Sequence, residues 1–117
     1  MNPTSLSTGL MKVRITDEEV RMRLNAADRE RLTQGLPSST TTPMPTGDPL
    51  KIRLVLGETI EEPNIHAVHR EIEFRVPLQG AMSEVLNGEK IGHFIDFENE
   101  GGLLRLIIER DLESASK

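Results

Sequence analysis

Six cations fall at alternate positions of three apolar strand patterns: Lys12 and Arg14, Arg21 and Arg23, Lys51 and Arg53. Successive side chains of a strand point to opposite faces, so each pair projects away from the apolar residues beside it. If these strands are neighbours, the cations share one sheet face, which suits phosphate groups or an acidic partner. Lys12, Arg14, Arg21, Arg23 and Arg53 are the candidate residues for holding phosphate or another small anion. The plainer alternative is a solvated face whose cations pair with Glu71 and Glu73. Exposed cross-strand pairs of opposite charge are ordinary and contribute about 0.2–1 kcal/mol each. Commitment of the cations to such carboxylates is the expected outcome.

Other reactive groups are sparse. Glu71-x-Glu73-x-Arg75 places two carboxylates and a base on one strand face. Enzymes that hold a metal–triphosphate in a β-tunnel use that pattern, but on several strands, and here one strand offers it. A metal-dependent hydrolase using Glu71 and Glu73 is therefore the most distant reading. His66 and His69 are three apart, which on a strand sends them to opposite faces. His93 is in phase with Ile91, Ile95 and Phe97 and reads as a core histidine. Zinc needs three or four convergent ligands, so no metal site is expected. Glu98, Glu100, Glu109 and Asp111 flank the last hairpin without the dense ligand string of a calcium loop. No glycine-rich phosphate loop or nucleophile–histidine–carboxylate set is visible. No catalytic residue and no cofactor is expected.

The 117 residues suit one domain and contain no cysteine. That excludes disulfides, thiolate metal sites and a cysteine nucleophile. The formal charge of −5 is uneven: residues 1–53 hold eight Lys/Arg against six Asp/Glu, and the remainder six against thirteen. Nucleic-acid binders normally carry the opposite sign. The only aromatics, Phe74, Phe94 and Phe97, sit in apolar strand patterns rather than as stacking platforms. No nucleic-acid partner is expected. No apolar run has membrane-spanning length and no secretory signal opens the chain, so a cytoplasmic location without membrane contact is the expectation.

Positioning these residues requires strands. Residues 1–10 have no period and are expected to be a disordered extension, with Met11 a candidate initiator. Met11–Ile15 and Val20–Leu24 alternate about an acidic turn as a hairpin. Asn25 reads as the cap of a short helix over residues 25–34, stopped by Gly35, with Asp28 suited to its positive end. The Pro/Thr-rich stretch 36–49 reads as loop, with its Thr run able to form an edge strand. Leu50–Leu56 is a strand. Ile65–Val76 reads as one long strand with Val68, Ile72, Phe74 and Val76 inward. Pro77 is expected to open a second helix running to Leu86, stopped by Asn87-Gly88. Lys90–Phe97 and Leu103–Glu109 form a last hairpin, with Leu104, Leu106 and Ile108 inward. Residues 114–117 are expected to fray.

Two stretches resemble a known family. Met11-Lys-Val-Arg-Ile15 followed by Val20-Arg-Met-Arg-Leu-Asn25 is similar to the opening of a group of small bacterial proteins, a Met-Lys-x-Arg-Ile strand and hairpin. Leu104-Arg-Leu-Ile-Ile-Glu-Arg-Asp111 resembles that group's closing Leu-Ile-Glu-Lys-Asp-Phe-like segment, although Leu112 stands where the group has Phe. The resemblance covers about residues 11–113. The group is a domain of unknown function, so the resemblance implies boundaries and a bacterial origin and transfers no active site.

The sequence thus reads as an α+β domain over residues 11–113. The expected architecture is a mainly antiparallel sheet of six to seven strands, with two short helices on one face. The strand-into-helix order of residues 20–35 returns at 72–88, an internal repeat of plan that suggests two strand–strand–helix units. The leading function is a non-enzymatic interaction or accessory domain with a possible protein partner. The alternative is binding of phosphate or a small anionic ligand by the basic face.

Overall fold

The computed structural model describes residues 11–45, 47–99 and 101–111. The expected extension at 1–10 and fray at 114–117 lie outside them. The elements run β1 (Lys12–Ile15), β2 (Glu19–Leu24), α1 (Ala26–Thr33), β3 (Ser38–Thr42), β4 (Leu50–Gly57), β5 (Asn64–Val68), β6 (Glu71–Pro77), α2 (Ala81–Leu86), β7 (Gly92–Asn99) and β8 (Gly102–Arg110).

The fold is α+β, but among the described residues it has eight strands in two mixed sheets of four, ordered β1-β2-β8-β7 and β3-β4-β6-β5. This corrects the single antiparallel sheet. Each sheet has antiparallel outer pairs and a parallel central pair, β2 with β8 and β4 with β6. Hairpins are local and declare themselves by alternation. The parallel pairs join strands that do not follow one another in the chain and leave no local mark. The order is hairpin, helix, hairpin, twice over, and each half gives one hairpin to each sheet.

The inward faces of the two sheets meet in one core. One side contributes Val20, Met22, Leu24, Leu106 and Ile108, the other Ile52, Leu54, Leu56, Phe74 and Val76. Phe74 and Phe97 touch across the gap, ring centroids 6.3 Å apart. The helices do not cover a sheet face. They lie against each other, α1 also against β2 and β3, α2 against β7 and β8, and supply buried Leu32, Met82 and Val85.

Asn25 caps α1 as the sequence predicts. Its side chain accepts the Asp28 N–H at 2.8 Å, and the Asp28 carboxylate accepts the Asn25 N–H at 2.9 Å. Asp28 does more than suit the helix dipole: it is fully buried, and its other oxygen accepts from Arg31 and from Ser38 at the start of β3. At Gly35 (φ +84°) the chain turns left-handed, which glycine permits without a Cβ penalty. The Thr run does form an edge strand, β3, paired among the described residues only with β4.

Two boundaries differ from expectation. Ile65–Val76 is broken by a two-residue turn, His69-Arg70, into the antiparallel pair β5/β6. His69 adopts φ 48° there, and neither turn residue is a Gly, Asn or Asp signal. The turn reverses the phase, so Ile65 and Ala67 pair with inward Phe74 and Ile72, and Val68 is exposed instead of buried. Pro77 ends β6 rather than opening α2. It sits opposite Gly57, and the Leu78 N–H donates to the Gly57 carbonyl at 3.0 Å. The residue before proline favours extended backbone, which continues the strand, and α2 begins only after Gly80.

Candidate functional site

Register places four of the six cations on the outer face of the first sheet. Lys12 lies opposite Arg23, and Arg14 opposite Arg21. Across the parallel pair, Arg21 lies beside Ile107 and Arg23 beside Glu109; across the last pair Ile107 lies beside Phe94. Lys12, Arg14, Arg21 and Arg23, with Val13, line a hollow of about 160 Å³ at the β1 side of this sheet. Lys51 and Arg53 do not join them, because β4 belongs to the other sheet. The six-cation stripe is therefore two separate groups.

Most of these cations are braced by carboxylates. Lys12 Nζ stands 3.0 Å from Asp111 Oδ2, and Asp111 is only 5% exposed. Arg21 meets Glu109 at 3.2 Å and Glu19 at 3.5 Å, and Arg23 approaches Glu109 at 3.7 Å. The expected partners Glu71 and Glu73 instead take Arg53, at 3.6 and 3.5 Å. Strand pairing explains the difference: β8 runs beside β2, and β6 beside β4. The two segments that carry the family resemblance thus converge, since Lys12, Arg21 and Arg23 of the opening meet Glu109 and Asp111 of the close. Arg14 is exposed and, among the described residues, forms no ion pair.

The same face carries an apolar patch. Phe94 is 55% exposed and Leu103 46%. The Arg105 guanidinium lies 4.3 Å from the Phe94 ring centroid and donates to both oxygens of Asp96, at 2.7 and 3.2 Å. That hydrogen bond holds the Asp96 carboxyl below the usual carboxylate range. Phe94 was legible, since it alternates with inward His93, Ile95 and Phe97; its apolar type disguised its outward phase. Arg105 carries no local signal because its partners Asp96 and Phe94 lie on another strand, and Glu19 reads in the sequence as part of the acidic turn although it opens β2.

The remaining candidates are placed as follows. The Glu73 carboxyl accepts from Arg75 Nε at 2.6 Å. This bond lowers its pKa, burial opposes, and the nearby Arg53 and His66 charges assist. The carboxylates of the hydrolase reading are thus already engaged by arginines. His66 and His69 both line one hollow of about 630 Å³, with Lys51, Arg70 and Glu71. Opposite faces were expected, but His69 sits in the turn, where alternation stops. Among the described residues no three His, Asp or Glu side chains gather as a metal could require, and no helix is long and apolar enough to cross a membrane.

His93 lies on the inward side opposite Ile108 and is half-buried. Burial, and then the Lys90 ammonium, hold its imidazole below the usual histidine range. The unfolded chain therefore takes the proton first as pH falls. Stability should be complete above the unfolded value, about 6.5, and be lost as pH falls from there towards the folded value. Melting temperatures measured through this window should fall for the wild type and fall less for His93→Gln. Equal slopes would place the acid sensitivity on another group.

Comparison with known proteins adds the following. A family model described as a family of unknown function (DUF7009) matches residues 11–116. Neither the curated proteins nor the solved structures contain a match.

Proposed function

The chain belongs to this family of unknown function, and from that premise we propose that it is a non-enzymatic interaction domain whose contact surface is the outer face of the β1-β2-β8-β7 sheet. The observation that carries the reading is Phe94, held in water beside Ile107 and under Arg105. Protein interfaces are enriched in aromatics and arginine, and their strongest contacts are such anchors. The ion pairs to Glu109, Glu19 and Asp96 hold Arg21 and Arg105 in place before any partner arrives, which lowers the ordering cost of binding. Cross-linking in the source cells tests this. Phe94→Ser should lose partners that the wild type captures, while Lys51→Glu on the other sheet should keep them. Equal capture by Phe94→Ser, or equal loss in both variants, would overturn the reading.

A second reading, binding of phosphate or another small anion, is favoured by one observation. Lys12, Arg14, Arg21 and Arg23 surround one hollow, and Arg14 makes no ion pair among the described residues. Arg53 falls outside this group. A ligand at 100 times its dissociation constant stabilises by about 2.7 kcal/mol. Thermal shifts with phosphate and pyrophosphate, present in the wild type and absent in Arg21→Gln/Arg23→Gln, would favour this reading over the first.

A further inference from the structure

We infer that the free edge of β1 accepts an extended segment of a partner protein as an added strand, and that this segment alternates carboxylate and apolar side chains. The inference rests on the interaction reading above and specifies the partner's chemistry.

Among the described residues β1 is paired on one side only, with β2. The Thr16 N–H donates to the Glu19 carbonyl at 2.9 Å, so that pair is a hydrogen-bonded one. Bonded and non-bonded pairs alternate along an antiparallel ladder. Counting back through the register, Arg14–Arg21 and Lys12–Arg23 are bonded pairs, while Ile15–Val20 and Val13–Met22 are not. The N–H and C=O groups of Val13 and Ile15 therefore point away from β2. Spaced two residues apart, they form the row that an incoming strand reads.

Side chains at this edge set the sequence of the incoming strand. Lys12 and Arg14 project to the outer face beside the hollow. Val13 and Ile15 take the inward phase. Val13 packs against the core and Ile15 remains 54% exposed. An added strand would place alternate residues across from Lys12 and Arg14, where carboxylates fit, and the others against Val13 and Ile15, where apolar groups fit. Ile15 is thereby covered and Arg14 acquires a counter-charge. A second copy of β1 does not fit, because antiparallel self-pairing about Val13 sets Lys12 opposite Arg14, and like charges directly opposite are destabilising. The other edges differ: the outward positions of β3 and β5 hold Ser39 and Thr41, and Asn64, His66 and Val68, and β7 offers Asp96 and Glu98. Among the described edge strands, β1 alone presents two cations at alternate outward positions.

The test uses the full chain, isotopically labelled, and a capped peptide of alternating glutamate and valine, with a lysine–valine peptide as control. At millimolar peptide the glutamate form should shift the amide resonances of Val13 and Ile15 most and slow their hydrogen exchange. Added salt should weaken the response, since exposed charges are screened. Arg14→Glu should lose it and respond to the lysine form instead. Ile15→Pro should lose it while keeping a melting temperature near the wild type, because among the described residues that N–H serves no bond. No shift at millimolar peptide, an equal response to both peptides, or shifts confined to β3, β5 or β7 would overturn the inference. If the titration fails while Phe94-dependent partners persist, the edge proposal falls and the interaction reading stands. If Phe94 has no effect on capture but the titration succeeds, the broader face is wrong and the edge is the site.

Discussion

Asp28→Ala should destabilise the domain by about 2.5–4 kcal/mol, combining about 1 kcal/mol for a lost helix cap with about 1.5–3 kcal/mol for hydrogen bonds to a charged group. Asp28 is fully buried. One carboxylate oxygen accepts the Asn25 N–H, completing the reciprocal cap of α1. The other accepts from Arg31 at 2.9 Å and from the buried Ser38 hydroxyl. A single side chain therefore ties the end of β2, the first turn of α1 and the start of β3, and so links the two sheets. Alanine removes the acceptor for all three donors at once. Loss of a cap alone costs about 1 kcal/mol, so the excess measures the buried part of the network. Asp28→Asn keeps the shape but replaces an acceptor with a donor facing Arg31 or Ser38, and should fall between wild type and alanine. Urea unfolding checks both. A loss of about 1 kcal/mol or less for Asp28→Ala would reduce the network to an ordinary helix cap.

Phe74→Ala should cost a similar about 3–5 kcal/mol, by leaving a cavity where a large aromatic was. That is a large share of the total stability of a small domain, about 5–15 kcal/mol. Phe74 is 2% exposed, flanked in register by Leu54 and Ile65, and meets Phe97 of the opposite sheet at an interplanar angle of 56°. It thus fills the middle of the sandwich. Phe97→Ala should cost less, because Phe97 is only half-buried. A double-mutant cycle should return a coupling of about 0.5–1.5 kcal/mol for the ring pair. An unchanged denaturant midpoint for Phe74→Ala would refute the packing of the two sheets through these rings.

The inward phase of Phe74 was readable because alternation is a property of the strand itself: Ile72, Phe74 and Val76 repeat every second residue. The cap at Asn25 was readable for the same reason, since its partner is three residues away. The break between β5 and β6 was not. His69-Arg70 carries no turn chemistry, and its polar side chains pass for outward strand residues. Pro77 misled because proline suits both the first turn of a helix and the end of a strand.

By itself the sequence determined what is local: the hairpins β1/β2 and β7/β8, the first helix with both its ends, the inward phase of β2, β4, β6 and β8, and the outward phase of Lys12, Arg14, Arg21 and Arg23. Tertiary structure alone decided which strands are neighbours. The parallel pairs β2/β8 and β4/β6 bring together segments from opposite ends or opposite halves of the chain. Nothing in either segment's alternation names the other, because a period-2 pattern fixes a face and not a partner. That pairing divides the six cations between two sheets. It assigns Glu109 to Arg21 and Arg23 and leaves Glu71 and Glu73 to Arg53. It also sets exposed Phe94 in one row with Ile107, Arg21 and Arg14, so the candidate surface exists only once the ends of the chain have met.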